Sequence, residues 1–80
     1  MSRQAKSSSY VLAYSDFETV LESAGRHYSV DEQECMWDDF ISPKQDYVEA
    51  CANEHDNYPE QLQAAHDAMF RILKDNNLLI

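Results

Sequence analysis

The length of 80 residues indicates a single domain. The net charge of −9 argues against several kinds of ligand. With 6 lysines and arginines against 15 aspartates and glutamates, the chain has no basic footprint for DNA, RNA or an anionic membrane. Hydrophobic residues make up 44% of the chain, which is enough for one core, and a single glycine disfavours an all-β fold with many tight turns.

The sequence also carries signals about the compartment. No apolar run is long enough to span a bilayer, and we expect no secretory signal because the N-terminus lacks its charged and apolar blocks. Cys35 and Cys51 form no Cys-x-x-Cys pair, which favours free thiols in a reduced, cytoplasmic setting. A chain of this length buries only about 60% of its unfolded surface, so its size is compatible with a homodimer.

Three serines predict where helices begin. Ser15, Ser29 and Ser42 are each followed three residues later by Glu or Gln, the capping-box pattern, and Pro43 suits a first helical position. With the apolar spacing, these signals predict an all-α, compact bundle of four short helices at residues 16–24, 30–41, 43–56 and 59–75. The predicted domain spans residues 15–80, and residues 1–14 are predicted to be a mobile tail or short arm.

Apolar residues at helical spacing predict the inward face of each helix. In the first helix these are Phe17, Val20, Leu21 and Ala24, and Gly25 is the expected stop. In the second they are Val30, Gln33, Met36, Trp37, Phe40 and Ile41. In the third they are Tyr47, Val48, Cys51 and His55, and in the fourth Leu62, Ala65, Met69, Ile72 and Leu73.

The excess negative charge is concentrated in the middle of the chain. Residues 31–60 contain ten acids and a single lysine, Lys44, whereas the flanking segments are each neutral. Like charges one helical turn apart cost a few tenths of a kcal/mol per pair. Such a block is either a solvated face that serves solubility or a contact surface for a basic protein.

The charge pattern predicts a non-enzymatic protein that docks on a basic, nucleic-acid-binding surface of a partner and inhibits it as a nucleic-acid mimic. Carboxylates one turn apart lie about 5–6 Å from each other, comparable with phosphates along a strand. The predicted partner-binding residues are Asp31, Glu32, Glu34, Asp38, Asp39, Asp46 and Glu49, with Tyr47 and Tyr58 as aromatic anchors. Small acidic inhibitors of this kind suit phages and mobile elements as anti-defence proteins. The alternative is a helical adaptor or dimerisation module that binds through an apolar patch.

No residue pattern predicts catalysis, a metal or a cofactor. Cys51 and His55 have a spacing that can ligate zinc, but no Cys-x-x-Cys or His-x-x-x-His accompanies them. The same two residues lack an orienting partner for a nucleophilic pair. We therefore predict no enzyme activity and no metal or cofactor site.

Two families of small, acidic, helical proteins are similar in size and charge. Acyl carrier proteins attach their cofactor at the serine of an Asp-Ser-Leu motif, whereas the corresponding sequence here is Ile41-Ser42-Pro43. Colicin immunity proteins have a Tyr-Pro pair before a helix, as Tyr58-Pro59 does in this chain. The similarity is limited to these features, and no family is assigned.

Overall fold

The computed structural model describes residues 10–78, which are 74% helical and contain no strand. Its α-helices are α1 (Tyr14–Ser23), α2 (Val30–Met36), α3 (Gln45–Ala52) and α4 (Tyr58–Asp75). A π-helical turn (Trp37–Ile41) and a 3₁₀ turn (Ser42–Lys44) join α2 to α3 without a break. The prediction of an all-α fold is confirmed. The predicted count of four separate helices is not, because residues 30–52 form one continuous helical segment and leave three segments in the described range.

Pro43 explains the change of helix type in the middle segment. Proline has no N–H, and in a regular α-helix its ring clashes with the carbonyl of the residue four positions earlier. The Ser42 N–H reaches back to the Trp37 carbonyl, and the Gln45 N–H then bonds the Ser42 carbonyl. The capping box predicted at Ser42 is therefore wrong, since this residue has helical φ and ψ and its side chain makes no cap hydrogen bond.

The other two predicted serine caps have different outcomes. At Ser29 the box is confirmed: its hydroxyl accepts the Glu32 N–H at 3.2 Å, and the Glu32 carboxylate accepts the Ser29 N–H at 2.9 Å. At Ser15 the prediction is wrong, because α1 begins earlier, with Ala13 as its N-cap. Asp16 accepts the Ala13 N–H at 3.3 Å, so an acid in the first turn does the capping.

Two helices are followed by a residue whose backbone has the left-handed conformation. Gly25 has φ +73°, and the Arg26 N–H donates to the Leu21 carbonyl at 3.2 Å, which confirms the predicted stop of α1. Asn77 has φ 61° after α4, and the Leu78 N–H donates to the Leu73 carbonyl at 2.9 Å. The sequence predicts that Leu78, Leu79 and Ile80 fold back onto the core after Asn76-Asn77. Leu78 is half-buried against the core, whereas Leu79 and Ile80 lie outside the described residues.

The core lies where α4 packs on α3, on α1 and on the π turn. Its buried hydrophobic residues are Tyr10, Leu12, Phe17, Val20, Leu21, Met36, Ile41, Val48, Ala52, Ala65, Ala68, Met69, Ile72 and Leu73. The inward faces predicted for α1 and α4 are largely confirmed. In α2, the prediction that Val30 faces inward is wrong: Val30 is 68% exposed, because Met36 is the only buried residue of α2 and the first turn of this helix lies outside the core.

The face predicted for the third helix is wrong at both ends. Tyr47 is 44% exposed, and His55 is exposed beyond the end of α3 at Ala52. Val48 is buried as predicted and Cys51 is half-buried, whereas Ala52, which was not predicted, is also buried. The polar side of this helix, which includes Glu49 and is continued by Asn53, contacts another part of the chain, and this contact shifts the buried arc of α3.

That other part is an extended arm, residues 10–13, which precedes α1. Its backbone is bound by side chains of α3 and of the residue that follows it: the Tyr10 N–H donates to Asn53 Oδ1 at 2.8 Å, and the Leu12 N–H donates to Glu49 Oε2 at 3.0 Å. Tyr10 and Leu12 are buried. The arm is therefore part of the folded core, and its polar backbone is satisfied by side chains in the absence of a sheet.

Replacing Asn53 with alanine should lower the free energy of unfolding by about 1–3 kcal/mol, because the buried Tyr10 N–H loses its acceptor. Asn53 Oδ1 also accepts from the Gln61 side chain at 3.3 Å, so the change weakens a second contact. Urea denaturation measures the loss. The control is Gln63→Ala on an exposed position of α4, expected to change stability by less than about 0.5 kcal/mol. Equal losses in the two variants would show that the arm contacts contribute no stability.

Candidate protein-binding surface

Five exposed carboxylates lie within nine residues of the middle helical segment. They are Asp31, Glu32, Glu34, Asp38 and Asp39, and we call them the acidic surface. Glu34 and Asp38 are one helical turn apart, and Asp38 and Asp39 belong to the π turn. π turns inside α-helices often occur at functional sites. The segment therefore presents negative charge from its first turn to the point where its geometry changes.

No cation of the described chain neutralises this surface. The close carboxylate–cation pairs within residues 10–78 both involve histidines: His55 with Glu60 at 3.7 Å and His66 with Asp16 at 3.8 Å. Arg26 and Lys44 are the lysine and arginine residues nearest to this surface in sequence, and neither lies within 4.0 Å of a carboxylate in that range. The acidic surface therefore has a negative field that is open to an external partner.

The remaining predicted binding residues lie elsewhere. Asp46 and Tyr47 are exposed in the first turn of α3, and Tyr58 is 61% exposed at the start of α4 with its ring centroid 6.3 Å from that of Tyr10. Glu49 is only half-exposed, and its carboxylate accepts hydrogen bonds from Leu12 and Gln45. Glu49 is thus committed to holding the arm, and we leave it out of the surface.

An aromatic cleft borders the acidic surface on the α1 side. Tyr14, Glu34, Trp37 and Asp38 line this cleft, which has a volume of about 290 Å³. The Tyr14 and Trp37 rings meet edge to face, with centroids 5.1 Å apart and planes at 70°. Phe17 supports both rings from the core at centroid distances of 6.0 and 5.8 Å. The cleft thus combines two half-buried aromatic rings with two exposed carboxylates.

The hydroxyl of Tyr14 is surrounded by negatively charged side chains. Burial and the charges of Glu18, Glu34 and Asp38 raise the pKa of its hydroxyl above the usual value. Sequence reasoning predicted Trp37 as part of the inward face and assigned no regular structure to the segment that contains Tyr14. The spacing of Glu34, Trp37 and Asp38 marks one helical patch, but nothing in the sequence shows that Tyr14 completes it from another helix.

A second groove lies on the other side of α2. Its lining includes Tyr28, Cys35, Met36 and Leu78, and Asp31 and Glu32 stand at its edge. The groove has a volume of about 370 Å³, and the Tyr28 hydroxyl donates to the Leu78 carbonyl across its floor. The acidic surface is therefore flanked by an aromatic cleft on one side and by a more apolar groove on the other.

The side chains that could act as nucleophiles or metal ligands do not form a cluster in the described range. Cys35 is exposed and Cys51 is half-buried, and both are free thiols. Within residues 10–78, no three His, Cys, Asp or Glu side chains are placed to hold a metal ion. Asp16 accepts from the Tyr10 hydroxyl, and burial together with this contact raises the pKa of Tyr10. Among the helices of the described range, none is long and apolar enough to cross a membrane.

In comparisons with known proteins, the chain matches no family model, no curated protein and no solved structure. The function is therefore argued from the chemistry of this surface.

Proposed function

We propose that this protein is a small, non-enzymatic inhibitor that places its acidic surface on the basic, nucleic-acid-binding surface of a partner protein. The observation that carries the proposal is five exposed carboxylates within nine residues, none of which forms an ion pair within 4.0 Å with a lysine or arginine of the described chain. Their mutual repulsion costs stability in the free protein. A lysine- and arginine-lined groove would remove that repulsion, because such side chains bind carboxylates as well as phosphates.

Inhibition follows by competition. A partner whose basic groove is filled by Glu34, Asp38 and Asp39 cannot bind the phosphates of a nucleic acid strand at the same place. The negative field also accelerates the encounter with a positively charged surface. Asp46, Tyr47 and Tyr58, which are all exposed, extend the contact for a large partner. A cytoplasmic anti-defence protein of a phage or mobile element would use such a mechanism.

Affinity capture at low and high salt tests this function. The tagged full chain is incubated with host lysate, and the captured proteins are eluted with rising salt. We expect basic nucleic-acid-binding proteins to be captured at low salt and released steeply as salt screens the contact. The purified partner should then lose its binding of labelled DNA or RNA when the acidic protein is added. A partner that binds nucleic acid equally well in its presence contradicts inhibition by competition.

The apolar groove beside α2 supports a second candidate, an adaptor or dimerisation module. Tyr28, Met36 and Leu78 line this groove. An interface built on them would respond weakly to salt, since burial of apolar surface is not screened by ions. Captured partners or dimers that persist at high salt would therefore favour this candidate over the mimic.

A further inference from the structure

We propose that the aromatic cleft binds one arginine side chain of the partner, with the guanidinium against Trp37 and Tyr14 and hydrogen-bonded to Glu34 and Asp38. This inference rests on the proposed function, because a nucleic-acid-binding surface supplies the arginine. It assigns to the cleft the role of an anchor within a larger electrostatic contact.

The aromatic half of the cleft suits a cation. The faces of tryptophan and tyrosine attract cations within about 6 Å of the ring centroid, and tryptophan does so best. The edge-to-face packing at 5.1 Å and the support from the fully buried Phe17 fix the Trp37 ring against α1. Trp37 itself is half-buried, so part of its surface remains available in the cleft. A ring held in this way loses little freedom when a ligand binds.

The carboxylates of the cleft determine the sign of the charge that a ligand must carry. Glu34 and Asp38 are exposed at the rim, and no cation of the described chain is paired with them. Burial is the main cause of the raised pKa of Tyr14, and the charges of Glu18, Glu34 and Asp38 raise this pKa further. An anion would be repelled from this site, and a purely apolar group would leave two carboxylates partly desolvated without a partner. Charge complementarity therefore selects a cation.

Arginine fits the combination better than lysine does. Its guanidinium is flat, stacks on aromatic rings and carries five donors that bind carboxylates in pairs. An ammonium is more strongly hydrated and bonds as a point charge. The cleft is lined by two aromatic rings and two carboxylates, and a guanidinium can contact both kinds of group at once.

Fluorescence provides a direct test, because Trp37 is the only tryptophan of the chain. The full-length protein is titrated with a capped Gly-Arg-Gly peptide, and with the same peptide carrying lysine or citrulline. We expect a saturable change of emission with arginine, weaker binding of lysine and no saturation with citrulline, which has the same shape without the charge. Equal responses to arginine and citrulline, or binding of lysine as tight as that of arginine, would overturn the assignment.

Two double variants separate the cleft from the general field. Glu34→Gln with Asp38→Asn removes the cleft carboxylates and should weaken binding of the arginine peptide by about fivefold or more. Asp31→Asn with Asp39→Asn removes the same charge from exposed positions that do not line the cleft, and should weaken it by less than about twofold. Urea denaturation of both variants verifies the fold. Equal weakening would overturn the arginine site and leave the acidic surface in place.

The ring of Tyr14 is tested by Tyr14→Leu, which keeps an apolar side chain and leaves the Trp37 reporter. Binding of the arginine peptide should fall by about threefold or more if the ring contributes. An unchanged affinity in a folded variant would overturn the aromatic part of the proposal. If the wild-type protein binds the arginine peptide but captures no basic protein from lysate in a salt-sensitive way, the proposed function is wrong and the cleft remains a cation site.

Discussion

Replacing Phe17 with alanine is expected to remove about 3–5 kcal/mol from the free energy of unfolding. Phe17 is 0% exposed and belongs to the core cluster. Its ring also lies 6.0 Å from that of Tyr14 and 5.8 Å from that of Trp37, so a cavity would form behind the aromatic cleft. Small domains are stable by only about 5–15 kcal/mol. The variant should therefore unfold at a lower urea concentration and at a lower temperature than the wild type, as measured by circular dichroism.

Phe70→Ala is the matched control for this prediction. It makes the same chemical change on α4, where the side chain is 43% exposed. We expect a loss of about 1 kcal/mol or less, because a partly exposed ring gives up less buried surface. Similar losses of unfolding free energy at Phe17 and Phe70 would contradict the view that Phe17, which lies behind the aromatic cleft, is a core residue.

Reversing Asp38 and Asp39 to lysine is expected to slow association with the partner by about 10- to 100-fold at low salt. Both carboxylates are exposed in the π turn and make no ion pair within residues 10–78, so the change alters the field with little effect on packing. Stopped-flow or surface-based kinetics at several salt concentrations measures the effect. The difference between wild type and variant should shrink as salt rises, since screening removes the contribution that the variant has lost.

The control for charge reversal is Glu54→Lys with Asp56→Lys. These acids are exposed in the turn after α3 and lie outside the acidic surface, and the change in net charge is the same. We expect the association rate to fall by less than about threefold. If both double variants slowed association equally, net charge alone would steer the protein. If neither did, the mimic hypothesis would be wrong.

Local signals in the sequence predicted the parts of the fold that local physics decides. The apolar stripe of α4 repeats over a long helix, so Ala65, Met69 and Leu73 were assignable to the core without knowing their partners. The Ser29 box needs only residues within one turn. The exposure of the five acids of the acidic surface follows from the same helical periodicity.

Contacts between distant parts of the chain were beyond such reasoning. Glu49 and Asn53 have the polar character of a solvent-facing side, yet they hold the backbone of the arm. Pro43 at a helix start and Pro43 after a π turn are equally consistent with the local sequence. The π turn packs on α4, a contact between distant parts of the chain that the local sequence does not show.

The aromatic cleft shows the same limit at the candidate site. Trp37, Glu34 and Asp38 share one patch of the middle segment by spacing alone. Tyr14 reaches that patch from α1, and Phe17 from the same helix supports it. Helical periodicity is evaluated for each helix separately. It therefore assigned Trp37 to the inward face and could not predict a cleft that is lined by residues of two helices.

The position of α2 has a consequence for the shape of the partner. Five of its first six residues are exposed and only Met36 is buried, so nearly two turns, about 10 Å of helix, stand clear of the packed interior. Exposed residues surround most of this part of the helix, so its carboxylates are accessible to positive groups that line a concave channel. We therefore expect proteins that enclose a strand in a recessed channel to bind more tightly than those that present a flat basic plateau.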